Sequence, residues 1–291
     1  MAPGWDRSEL PIYGCLTGIE LRDDSVAILP GITLRRVYVD TFGATMMAFA
    51  APPTSNSPHP APWATVRGSF TFESRVQIEI ADAGLLDGLT PSVAVWLVAA
   101  VLRPRIPTPI RLAVIRNAPF DPVASRHEIE AIAFESAPHQ IGIFRATRIE
   151  LTQEELAWLR EMLPVAARLY HDERFFRAFS IYDQAQWAPT PEIGTVLVWT
   201  SIEILFDLTA ERAKTKAICK ALSDYVAEDR PDRDRAYQVV QDLYYKRGQT
   251  VHAGRRMLPQ DVAQSFRFAS VAFQRALIDG RLPFPRRDTV H

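Results

Sequence analysis

Arg247 and His252 are the residues whose types and spacing best suit a catalytic pair. An imidazole accepts and donates protons near neutral pH. A guanidinium carries permanent charge and planar donors that can meet negative charge as it develops. Positions five apart on an ideal helix lie about 140° apart, so the two share one stripe only if the helix bends or ends between them. Glu203 falls among Ile202, Ile204, Leu205 and Phe206. A carboxylate in such a setting needs a partner if it is buried, and Arg247 is the candidate; Glu203 then orients the arginine rather than reacting. The plain alternative for Arg247 and His252 is a structural pair in a helical domain, and for Glu203 a helix-capping or solvent-facing carboxylate.

The segment before Arg247 has an apolar stripe, with Ala236, Val239, Val240, Leu243 and Tyr244 at helical spacing. Asp232 can cap this helix, which is expected to run to about Arg247. Gly248, Gly254 and the β-branched pair Thr250-Val251 weaken helix beyond it. Upstream, Thr152-Gln153-Glu154-Glu155 is a capping box that opens a helix toward Leu163. Pro164 is expected to begin a second helix reaching Tyr182, and Thr190-Pro191-Glu192 a third reaching about Leu208. Ala210 to Ala227 reads as a further helix, and Pro259 begins a last one that ends near Gly280.

Proline divides the chain: 15 of its 22 prolines precede residue 140. That half alternates with the period of half-buried strands, most clearly over residues 67–72 and 75–80, with 34–39, 111–114 and 141–149 as further candidates. One helix interrupts it: Thr90 caps, Pro91 starts, and the apolar run Val93 to Leu102 fills it. Ala51 to Trp63 holds five prolines and reads as a surface loop. The expected fold class is α+β. A mostly β domain with at least one helix occupies residues 1–150, and an all-α bundle residues 151–285.

A chain of 291 residues can bury a core without disulfides or metals. The two cysteines, Cys15 and Cys219, form no disulfide framework and have no zinc spacing. His59, His127, His139, His171 and His291 have no partners at metal-ligand spacing, so no metal and no cofactor is expected. With a net charge of -1, any basic surface for nucleic acid must be local. The ten-residue apolar run is too short to span a bilayer, and the first ten residues are too polar for a signal peptide, which points to the cytoplasm.

The stretch Asp242-Leu243-Tyr244-Tyr245-Lys246-Arg247-Gly248-Gln249-Thr250-Val251-His252-Ala253-Gly254 resembles the signature of HEPN domains, in particular the Apea-like HEPN branch. That pattern is an apolar helix ending in Tyr-x-x-Arg, four residues, then His, often followed by a small residue and Gly. Trp199 to Phe206 resembles the family's earlier helix with its apolar-Glu-apolar-Leu-Phe element. The resemblance covers about residues 190–280.

It implies an all-α HEPN-like bundle and a metal-independent ribonuclease in which the ribose 2′-hydroxyl attacks the adjacent phosphate, leaving a 2′,3′-cyclic phosphate. In that chemistry His252 moves protons and Arg247 stabilises the phosphoryl charge, with Glu203, Gln249 and Thr250 in support. Tyr244, Lys246, Arg255 and Arg256 are candidates for RNA contact. One histidine per chain supplies only one proton-transfer group. A two-fold homodimer through the helical half, which brings two motifs to one cleft, supplies the second. RNA and an antitoxin or regulatory protein are the implied partners, in a toxin–antitoxin or antiphage setting. The family often has Asn, Ser or Asp directly after the arginine, whereas Gly248 stands here. That difference favours the alternative of a non-cleaving RNA- or nucleotide-binding module; a dimeric regulatory scaffold is a further alternative.

Overall fold

The computed structural model describes residues 10–49, 55–56, 64–82, 84–86, 88–106, 110–120, 131–133, 148–207, 214–227 and 230–283. The fold is α+β: an antiparallel sheet with one helix against it, then a run of helices.

The strands are β1 (Ile12–Thr17), β2 (Ile19–Glu20), β3 (Ser25–Leu29), β4 (Ile32–Phe49), β5 (Ala64–Ile80), β6 (Arg111–Arg116), β7 (Ala131–Ala133) and β8 (Ile149–Glu150). Six form one sheet in the order β3-β4-β5-β1-β6-β7, and β2 and β8 pair in parallel. The expected segments 67–72 and 75–80 are one strand, β5. Only 148–149 of the expected strand over 141–149 falls among the described residues, and most of the proline-rich loop lies outside them. β1 has no alternation in sequence because it is central and buried on both faces. Gly14 lets a helix close on it: a Cβ there would stand 2.5 Å from Val95 Cγ1 and 2.8 Å from Leu112 Cδ1.

That helix is α1 (Pro91–Leu102), capped by Thr90 and buried along nearly its whole length. It packs on the sheet and also against the helical half. Trp96 Nε1 donates to Asp183 Oδ2 at 2.9 Å, Arg103 Nη1 to Asp183 Oδ1 at 2.5 Å, and Trp158 Nε1 to the Val101 carbonyl at 3.1 Å. One apolar core therefore runs from Ile12 through α1 to Leu282, across the change from strands to helices near residue 150.

The remaining helices are α2 (Gln153–Tyr170), α3 (Glu173–Ala185), α4 (Pro191–Leu205), α5 (Lys214–Val226), α6 (Arg230–Ala253) and α7 (Pro259–Asp279). The Thr152 capping box is present, with Thr152 Oγ1 accepting from the Glu155 amide at 3.3 Å and the Thr152 amide donating to Glu155 Oε2 at 2.6 Å. Thr152→Ala is expected to cost about 1 kcal/mol, read as a small drop in melting temperature.

Several expected boundaries differ. α6 begins by Arg230, so Asp232 lies in its first turn and does not cap it. α2 continues through Pro164, and the break falls at His171-Asp172, where Asp172 caps α3. The buried stripe Leu156, Leu159, Leu163, Ala166, Ala167 continues in phase across the proline, so tertiary burial outweighs the one lost hydrogen bond. α6 likewise does not end at Arg247 but runs on to Ala253, closing at Gly254 in the left-handed conformation with φ 62°. α7 ends as expected at Gly280, φ 61°, with the Arg281 amide bonded to the Ala276 carbonyl at 3.3 Å. Cys15 and Cys219 are both buried, and burial pushes their thiols up to about 12 and about 11.

Candidate functional site

α4 begins where Thr190 Oγ1 accepts from the Ile193 amide at 3.3 Å, with Pro191 in its first turn. The helix is apolar on most sides, so it is covered by α3, α6 and α7 and carries Glu203 into the interior, 5% exposed. On α6 the buried residues Val240, Leu243 and Tyr244 share a stripe, and the next position along it is Arg247.

The expected pair is seen in the geometry. Arg247 Nη2 stands 3.6 Å from Glu203 Oε1. Tyr244 Oη donates to the same oxygen at 2.9 Å, and the Tyr244 ring meets Trp199 edge-on at 5.3 Å. Arg247 Cζ lies 5.6 Å from the centre of the Tyr244 ring, and Arg247 Nε is buried without an acceptor. Three residues from two helices are thus held as one polar cluster in an apolar wall. The arginine is mostly shielded from water, which strengthens its interaction with the carboxylate.

Tyr244 is spent in this cluster. Its ring is buried and its hydroxyl engaged, so it offers no open face for a base. Burial, and then the Glu203 carboxylate that it serves, push its phenol up to about 12. The unfolded chain releases that proton near pH 10 while the folded chain keeps it. The stability the group contributes is complete below about pH 10 and is lost as pH rises through its folded value. Tyr244→Phe is expected to flatten that part of the alkaline decline, measured by melting at rising pH.

The aromatic that is open is Tyr245, 63% exposed. The same stripe that buries Tyr244 turns its neighbour outward, so the helical period already distinguishes the two. Tyr245, Gly248 and His252 follow at i, i+3 and i+7 on one exposed face of α6. A Cβ at Gly248 would meet nothing within 4 Å, so that face is open there.

His252 does not join Arg247. Because α6 is unbroken between them, the two diverge by about 140°. Among the described residues His252 makes no hydrogen bond or ion pair, and its side chain faces outward. Gln249 Oε1 accepts from Arg255 Nη1 at 3.2 Å, and Thr250 Oγ1 bonds back to the Lys246 carbonyl at 3.1 Å. The threonine's bond closes within α6 itself and accompanies the continuation of the helix past Gly248. Lys246 Nζ sits 2.7 Å from Asp242 and 3.0 Å from Asp261, and hydrogen bonds to these carboxylates raise its pKa. It ties α6 to α7, and its charge is already answered. Arg255 and Arg256 are exposed beyond the end of α6.

Among the described residues, no group of three or more His, Cys, Asp or Glu is placed to hold a metal, and no helix is long and apolar enough to cross a membrane. Compared with known protein families, curated proteins and solved structures, the chain matches none.

Proposed function

We propose that this protein is a metal-independent endoribonuclease of the HEPN type, acting as a homodimer through its helical half. The observation that carries the reading is the buried Glu203–Tyr244–Arg247 cluster beside an open face bearing Tyr245, Gly248 and His252. The motif's arginine is anchored by a carboxylate from α4, and its histidine is free to meet a second chain. With one histidine per chain, a second chain is needed to supply both the base and the acid. Val251, near the end of α6, and Leu258, which precedes α7, are apolar and exposed at 46% and 54%, and suit a two-fold contact there.

In the shared cleft one His252 takes the proton from the 2′-hydroxyl and the other protonates the departing 5′-oxygen. Arg247 holds the charge on the phosphoryl oxygens. Tyr245 stacks a base and Arg255 and Arg256 contact phosphates. The protein works in the cytoplasm as an effector restrained by a partner, in a toxin–antitoxin or antiphage role. Expression is expected to slow growth, and His252→Ala and Arg247→Ala are each expected to relieve it. Growth inhibition untouched by either change contradicts the proposal.

A non-cleaving RNA-binding role is favoured by one specific feature. Among the described residues no hydrogen bond or ion pair fixes the His252 ring, and Gly248 supplies no polar side chain beside Arg247. That reading predicts RNA binding that survives His252→Ala without cleavage of any RNA tested.

A further inference from the structure

Within β4 the register against β5 slips. Arg36 pairs with Val76 and Val39 with Ser74, so Val37 and Tyr38 together oppose Arg75. Such a two-against-one bulge bends the strand and re-aims its side chains. Here it turns Tyr38 outward, 71% exposed, and lays the Arg75 guanidinium over one face of its ring at 3.7 Å from the centroid. Beside them opens a cleft of about 690 Å³, lined also by Arg22, Arg36, Glu20 and Glu150. That volume is within the range of sites for small ligands.

The cleft is held in shape by ion pairs. Arg75 pairs with Glu73, which also takes Arg148 Nη2 at 3.0 Å. Arg36 pairs with Asp24 and donates through Nη1 to the Arg22 carbonyl at 3.2 Å. Among the described residues, the side chains of Arg22 and Glu150 make no ion pair or hydrogen bond, and both line the space.

We propose that this cleft is a binding site for a nucleoside 5′-phosphate, free or at the end of an RNA strand. The base stacks on the open face of Tyr38, whose other face is backed by Arg75. Arg22 meets the phosphate, with Arg36 adding to the field. Glu150 and Glu20 accept from the ribose hydroxyls, the task carboxylates perform in other nucleotide sites. A bare anion is a poor fit because two carboxylates line the same wall, and an acidic peptide is a poor fit for the same reason. The site is remote in sequence from Arg247 and His252, and the proposal does not rest on the ribonuclease reading.

The test is calorimetric titration of the full chain with AMP, GMP, CMP and UMP, and with inorganic phosphate as the comparison. His252→Ala protein is used throughout, so that turnover is set aside, and the Tyr38→Ala comparison separates this site from the α6 face. Saturable binding of at least one nucleotide is expected, weakened about tenfold by Tyr38→Ala and by Arg22→Glu and retained by Tyr38→Phe. These positions are exposed, and unchanged melting temperatures identify a loss of binding as local. Displacement of the bound nucleotide by a 5′-phosphorylated trinucleotide assigns the site to RNA ends, and failure to displace assigns it to free nucleotides; both uphold it. Absence of binding, binding unaffected by Tyr38→Ala, or inorganic phosphate binding as tightly as the nucleotides overturns it.

Discussion

Arg247→Ala is expected to lose RNA cleavage and stability together, whereas His252→Ala is expected to lose cleavage alone. The arginine answers a carboxylate that is buried among Trp199, Ile202 and Leu205. Removing it takes the guanidinium away from a buried carboxylate that also accepts from Tyr244 Oη. Breaking a buried pair in this way costs about 3–5 kcal/mol. Arg247 keeps 19% of its side chain exposed, and its contact is 3.6 Å, so the lower end of that range, about 3 kcal/mol, applies here. Glu203→Gln in the same background removes the buried charge and is expected to recover part of the stability but none of the cleavage. His252 is exposed and makes no hydrogen bond or ion pair among the described residues, so His252→Ala is expected to change stability by less than about 0.5 kcal/mol. Its rate loss is expected to reach about 100-fold or more, the ordinary contribution of a proton-transfer group. Chemical denaturation and RNA cleavage measured on the same preparations separate the two effects. A histidine variant as destabilised as the arginine variant contradicts the arrangement.

The largest stability effect is expected at Arg103→Ala. Arg103 is wholly buried, its partner Asp183 is 6% exposed, and the pair joins α1 to α3. Asp183 spends one oxygen on Arg103 and the other on Trp96, while Arg103 Nε serves the Ile110 carbonyl at 2.8 Å. Truncating the arginine strands both the carboxylate and a strand-end carbonyl. A loss of about 3–5 kcal/mol follows, read by urea unfolding. Because the core is continuous from the sheet through α1 into the helices, the unfolding transition is expected to shift as one, with fluorescence and far-UV signals moving together. Replacing both members, Arg103→Met with Asp183→Leu, is expected to restore much of the loss, since no charge is then left buried. An Arg103→Ala protein within about 1 kcal/mol of the parent contradicts the burial cost assigned to the pair.

The parts of the fold that local chemistry dictates are legible in the sequence. Thr90-Pro91, Thr152 with Glu155, and Thr190-Pro191 all start helices where cap and proline place them. Gly280 ends the last helix because only a residue tolerant of positive φ fits there. What tertiary packing dictates is less visible. β1 shows no alternation, being covered on both faces. Pro164 reads as a helix start but is carried inside α2 by a stripe that stays buried on either side of it.

The site divides along the same line. The Glu203–Arg247 contact is foreseeable, since a carboxylate among Ile202, Ile204 and Leu205 needs a cation and the stripe on α6 supplies one. The exchange of Tyr244 for Tyr245 is also foreseeable in principle, because the stripe through Val240 and Leu243 includes residue 244 and leaves residue 245 outside. The continuation of α6 past Gly248 is not. Intrinsic helix weakness of about 1 kcal/mol at a glycine is outweighed by contacts such as the Lys246 tie to Asp261 on α7. The cleft beneath Tyr38 depends on a bulge register that strand periodicity does not reveal.

The most direct measurement is cleavage of a mixed-sequence RNA oligonucleotide by the purified protein with EDTA present, beside the His252→Ala protein and an all-deoxy copy of the same sequence. Cleavage of the RNA by the parent protein alone, with 2′,3′-cyclic phosphate ends and the all-deoxy copy intact, is the result expected. Cleavage that EDTA abolishes, or that the His252→Ala protein performs equally well, contradicts the assignment of a metal-independent ribonuclease to Arg247 and His252.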